Sequence, residues 1–137
     1  MTKGESPNGG FRDDAAPGPS GSLKFDLEER TAQFGENVIA LLKGVPETKI
    51  TGRIIDQLMA SAGSVGANYA EADDGVTRKD FRHKIGLCRK ESRESKHWLR
   101  LLAAAHPPSR DAARVLWREA KELNLIFSHI FKKCSDE

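Results

Sequence analysis

The chain has 137 residues, 22 Lys and Arg against 20 Asp and Glu, a formal net charge of +2 and 38% hydrophobic residues. That length suits a single domain. Two cysteines with no metal-ligand spacing exclude a disulfide framework and fit free thiols in a reducing cytosol. No apolar run reaches the roughly 18 residues of a membrane span, and the opening MTKGESPNGG lacks the apolar core of a secretory signal, so a cytoplasmic protein is expected.

Residues 1–21 are Gly, Pro, Ser and Asp with almost no hydrophobes. They are expected to form a disordered tail, because such a segment buries too little surface to offset the entropy of ordering it. The bundle then occupies residues 22–134, with 135–137 as a short C-terminal tail. Helix one is predicted from Ser22–Asp26 to Lys43, with Leu27, Thr31, Phe34, Val38 and Leu41 as its buried stripe, widened by Ile39 and Leu42. Gly44 and Pro46 end it, glycine at the stop and proline beyond.

Helix two begins between Thr48 and Gly52, where either Thr48 or Thr51 can cap. Thr51, Ile55, Leu58, Ala62, Val65, Tyr69 and Ala72 recur at steps of four and three, one helical face. Two glycines inside it, Gly63 and Gly66, each cost about 1 kcal/mol against alanine, and close approach of another helix is the expected compensation. Asp74-Gly75 stops the helix.

Helix three is predicted from Thr77 to Ala105, about 40 Å at 1.5 Å per residue. Its face is Phe81, Ile85, Cys88, Ser92, Ser95, Leu99 and Leu102, and Thr77 with Asp80 forms a capping-box start. Folding back about Gly75 brings Tyr69 near Phe81, Val65 near Ile85 and Ala62 near Cys88. His106-Pro107-Pro108-Ser109 ends helix three, with Ser109 as N-cap of helix four and Asp111 in its first turn. Helix four buries Ala113, Leu116, Ala120, Leu123, Phe127, Ile130 and Cys134. Val115, Trp117, Leu125, Ile126 and Phe131 lie outside that seam, and either cover a partner surface or pack between two neighbours of their own bundle. With no strand pattern and no repeat, four long helices and short connections predict an all-α, antiparallel up-down-up-down four-helix bundle.

Charge is distributed unevenly. Helix three carries nine cations (Arg78, Lys79, Arg82, Lys84, Arg89, Lys90, Arg93, Lys96, Arg100) against Asp80, Glu91 and Glu94, a surplus of six. Residues 46–74 have two cations against five acids. The basic excess continues through Arg110, Arg114, Arg118, Lys121, Lys132 and Lys133. A basic stripe is the footprint of a phosphate-backbone binder, or simply a solvated face. Arg78, Lys79, Arg82, Arg89, Arg93, Lys96 and Arg100 are the candidate nucleic-acid contacts. No motif for sequence-specific readout accompanies them.

Catalytic chemistry finds little support. Glu94–His97 is a single Glu-x-x-His, whereas carboxylate-bridged di-iron bundles need two; His83, His106 and His129 have no glutamate three residues before them. Cys88, Ser92 and Ser95 have no His–Asp arrangement around them, and no phosphate-cradling glycine loop occurs. No metal, no cofactor and no enzymatic activity are expected. Glu91 and Glu94, beside the seam, are expected either to pair with Arg or Lys across the bundle or subunit boundary or to sit at the solvent rim, and Asn68 to fix the helix register.

The run SVGANYAEA at Ser64–Ala72, followed by DFRHKIGLCRKESRESKHWLRLL at Asp80–Leu102, resembles the bacterial four-helix bundle family that includes proteins encoded in intervening sequences of 23S ribosomal RNA genes. The resemblance covers Phe25 to Lys133. Its motif positions are Ser64, Gly66, Ala67, Asn68, Tyr69, Glu71, Phe81, Lys84, Lys90, Glu91, Glu94, Ser95, Trp98 and Leu99. His97 departs from it, standing where tyrosine is frequent, as does the N-terminal extension. The resemblance implies a homopentamer without known enzymatic activity. A distant relative, the accessory protein of diversity-generating retroelements, looks like a basic pentameric barrel that binds nucleic acid and a reverse transcriptase; by that analogy a reverse transcriptase is a conjectural partner. The resulting expectation is a homo-oligomer whose basic face contacts RNA, DNA or a ribonucleoprotein. The alternative is a structural or protein-interaction oligomer without nucleic-acid affinity, such as an accessory subunit for a partner enzyme.

Overall fold

The computed structural model describes residues 23–74 and 77–135. The order is α1 (Leu23–Leu42), α2 (Lys49–Asp73), α3 (Arg78–Ala105) and α4 (Arg110–Ser135), with a 3-10 turn at Pro107–Ser109 leading into α4. No strand occurs among the described residues. Each helix packs on the next, α3 most extensively, and α1 closes the ring against α4 along a shorter contact. This is the antiparallel four-helix bundle the periodicity predicts. The tail 1–21, Gly75 of the predicted stop and the last two residues lie outside the described residues.

The helix starts follow side-chain chemistry. The Thr48 hydroxyl accepts from the amides of Ile50 and Thr51, and the Thr51 hydroxyl accepts from the Thr48 amide at 2.8 Å while donating to the Pro46 carbonyl at 2.7 Å. Both candidate threonines therefore take part, as a reciprocal cap. At α3 the Thr77 hydroxyl accepts from the Asp80 amide at 3.0 Å, one half of the box expected there. Between α3 and α4, Ser109 sits within the 3-10 turn, its hydroxyl 2.7 Å from His106 Nδ1 and its amide bonded to the His106 carbonyl. The diproline brings one tight turn rather than a clean break, since it supplies no amide to continue α3.

Leu27, Phe34, Val38, Leu58, Val65, Ile85, Leu99, Leu102, Leu123 and Phe127 are at most 1% exposed. At about 1.5–3 kcal/mol for each large side chain, these residues drive the assembly of the four stripes. Leu41 is only half-buried and Ile39 is exposed, because the end of α1 turns Leu42 and then Val45 inward instead.

The α2–α3 register differs from a simple fold-back about Gly75. Cys88 Sγ donates to the Val65 carbonyl at 3.6 Å, and the Ser61 and Ser95 hydroxyls meet at 3.0 Å, so α3 is displaced by about one turn. Buried hydroxyls left unpaired are costly, and this register joins two of them. The Asn68 amide donates to the Ser64 carbonyl of its own helix at 2.9 Å.

The two α2 glycines also separate. A Cβ at Gly66 would lie 3.4–3.6 Å from the hydroxyl and backbone of Thr31 on α1, whereas one at exposed Gly63 would meet only Met59 Cε at 3.9 Å. Close helix approach explains the first and not the second.

Candidate nucleic-acid interface

Placed at 100° per residue, six of the seven candidate cations on α3 fall within an arc of about 60°: Arg78, Arg82, Arg89, Arg93, Lys96 and Arg100. The three acids of the helix, Asp80, Glu91 and Glu94, point roughly 130–170° away from the middle of that arc. Lys79 lies beside the arc and lines an open recess with Arg78, Arg82 and Cys134. Lys84 is on the other flank, bonded to Glu71 of α2. The stripe is thus one-sided, and no acid of its own helix shares it.

It runs along the border with α4. The Arg82 guanidinium lies 3.8 Å above the Phe131 ring and that of Arg89 4.7 Å from it. Lys96 of α3 and Lys121 of α4 share the Trp117 ring, at 5.6 and 5.9 Å. Gly86 makes room beneath, since a Cβ there would come within 3.1 Å of Phe131 Cε1. Between the rings, Asn124 Nδ2 donates to the Arg89 carbonyl at 2.8 Å and toward Ser92 Oγ at 3.3 Å, tying the two helices together. On α4, Arg110, Arg114, Arg118, Lys121 and Lys132 share one arc of about 80°, so a second basic row faces the first across the groove.

Two acids of α4, Glu119 and Glu122, are held by α1, whereas exposed Asp111 stays beside the basic row. Arg30 on α1 donates from Nε and Nη2 to both carboxylate oxygens of Glu119, at 2.8 and 3.0 Å, and from Nη2 to Glu122 at 3.0 Å. The hydrogen bond to Glu119 is the main reason the Arg30 pKa rises, against the opposing effect of burial. Glu119 and Glu122 are committed to the α1 side of the bundle, so on the α3 side cations outnumber the one α4 acid beside them, Asp111.

The sequence places Lys121 in the basic excess, but periodicity missed Trp117 and Phe131 as the rings that the cations of this surface lie on. Trp117, Ile126 and Phe131 were equally consistent with a partner surface; they pack, half-buried, against their own core, while Val115 and Leu125 remain 62% and 58% exposed. The discriminating signal was the four-residue step from Trp117 to Lys121 on the flank of α4.

The family-motif residues lie mostly on α2 and the opposite flank of α3. Tyr69 is half-buried, its ring 6.0 Å from that of Phe127, and Trp98 meets His97 edge-on at 5.0 Å. Ser64 and Gly66 are half-buried on α2. Glu91 is half-buried near exposed Glu94; burial, then repulsion from Glu94, pushes its carboxyl pKa up, with Lys90 opposing. Burial pushes the Cys88 thiol up to about 12, so it stays a protonated core side chain and not a nucleophile. Among the described residues no three His, Cys, Asp or Glu side chains are grouped to hold a metal ion. Among the described residues no helix is long and apolar enough to cross a membrane.

The model of the 23S rRNA-intervening sequence protein family matches residues 24–129. The chain belongs to that family. The match spans the described helices up to the last turns of α4. A solved structure from the S23 ribosomal protein family, a protein of unknown function from Bacteroides thetaiotaomicron, superimposes with a TM-score of 0.68. It is 24% identical and covers 77% of this chain and 98% of its own, a likeness that speaks to the fold. Among curated proteins none matches the chain significantly.

Proposed function

We propose that the chain is a non-enzymatic, homo-oligomeric four-helix bundle whose α3–α4 face binds nucleic acid through its phosphate backbone, without sequence specificity. The observation that carries this reading is the excess of cations over acids along two rows: six cations in one arc of α3, five in one arc of α4 with Asp111 beside them, and Glu119 and Glu122 held by Arg30. Ring contacts fix Arg82 and Arg89 in place before any ligand arrives, which lowers the entropy cost of binding. A phosphate-backbone reading applies to RNA and DNA alike, so both are tested.

The experiment is a salt series with generic RNA and DNA. A strand contacting about six cations should lose roughly 300-fold in affinity between 50 and 200 mM salt, from a slope near −0.7 per contact. Absence of binding at 50 mM salt refutes the reading. Exposed Ile50, at 68%, together with Val115 and Leu125, supports the self-associating part of the proposal. Light scattering tests it, with the pentamer implied by the family resemblance as the expected mass and a monomer at micromolar concentration as the refuting one.

A further inference from the structure

We infer that the α3–α4 groove selects single-stranded over double-helical nucleic acid; the inference rests on the reading just given and adds which form of the polymer fits. Charge alone does not discriminate between strand forms, but the floor of this groove is aromatic. Four cation–ring contacts lie along it, two on Phe131 and two on Trp117. Significant contacts of this kind occur about once per 70–80 residues, so four on one face is a concentration. The rings are fourteen residues apart on one helix, about 21 Å, and basic side chains flank the whole interval.

That is the construction of a single-strand site, in which a basic groove follows the backbone and planar groups take the bases. The Arg82 guanidinium over Phe131 is itself such a plane. Its Nε is buried without a hydrogen-bond partner, the Phe131 ring lies 3.8 Å beneath it, and its outer face is turned away from the ring. Bases of an unpaired strand stack on guanidinium planes as well as on rings. In a duplex those base faces are already stacked on each other.

Shape points the same way. Two packed helices 8–10 Å apart, each about 10 Å across, form a face of about 20 Å. The major groove of B-DNA, about 12 Å wide, admits one helix and not two. A duplex therefore meets the outer tips of the cations and leaves the floor unused, whereas a single strand lies between the rows.

The test compares fluorescein-labelled single-stranded 12-mers, one RNA and one DNA, with 12-base-pair duplexes of the same sequences at 50 mM salt. Single strands are expected to bind at least tenfold more tightly than their duplexes. Phe131→Leu and, separately, Arg82→Gln should each reduce that preference to less than a third of its original value, with melting curves confirming the fold. Trp117 fluorescence, isolated in a Trp98→Phe background, should fall on adding single strands. Duplex binding as tight as single-strand binding, or an unchanged preference in both variants, overturns the inference while leaving the basic face intact. Failure of every nucleic acid to bind overturns the basic-face reading itself.

Discussion

Arg30 offers the most direct test of how the first helix is held. Its guanidinium makes three hydrogen bonds to Glu119 and Glu122, and the three side chains are 19%, 27% and 29% exposed. Exposed ion pairs contribute about 0.2–1 kcal/mol, whereas breaking a buried one costs about 3–5 kcal/mol. A bidentate, partly screened network belongs between them. Arg30→Met keeps the aliphatic stem and leaves two carboxylates three residues apart without their cation, so the expected cost is about 2 kcal/mol. For a bundle of this size that is roughly 8 °C in melting temperature. Because the α1–α4 contact is the short one, the loss should appear first as faster hydrogen exchange in α1. Urea titration at one fixed protein concentration gives the magnitude. Replacing Glu119 and Glu122 by Gln in the same variant should restore at least half of the loss, since no carboxylate then lacks a counter-charge. A single-variant cost below about 0.5 kcal/mol, or exchange that rises equally in all helices, refutes the reasoning.

Other expectations can be checked alongside. Gly63→Ala should raise stability by about 0.5–1 kcal/mol in urea titration through helix propensity, while Gly66→Leu should lower it by at least 1–3 kcal/mol, because the side chain would drive into the Thr31 backbone. A thiol reagent at pH 8 should modify Cys134 and not Cys88, giving one equivalent in the native protein and two in denaturant. An acidic group whose pKa rises on folding keeps its proton longer in the native state. Stability should therefore fall once the unfolded thiol ionises near pH 9 and continue falling towards pH 12, by up to about 1.4 kcal/mol per unit; Cys88→Ala should remove that contribution, with stability measured from pH 8 to 11. The same sign applies to Glu91, whose raised pKa penalises its charged form. Glu91→Gln should stabilise the single chain at pH 7 and lose that advantage as pH falls through the ordinary carboxyl range; destabilisation in the assembled protein would instead reveal a cation contributed by another copy.

Much of the fold was legible because burial follows helical period. The stripes Leu27–Val38 and Ile85–Leu102 emerged at the predicted positions, and the α3 boundaries follow from Thr77 and the diproline. Register was not legible, because period alone is blind to sliding by a turn; the Ser61–Ser95 contact settles it in three dimensions. Gly63 and Gly66 look alike in a string and differ only by what stands opposite them. The α3 cations could be picked out by charge, but their alignment with α4 could not. Whether Phe131 serves a core, a partner or a guanidinium depends on Gly86, forty-five residues earlier, having no side chain.

The corner between α1 and α2 bears on how copies of this chain can combine. Thr48 and Thr51 bind one another's amides, Thr51 grips the Pro46 carbonyl, and Val45 is sunk into the interior. Trading the first helix between molecules would require this knot to straighten into a hinge. The corner therefore disfavours exchange of α1 as a route to the proposed self-association.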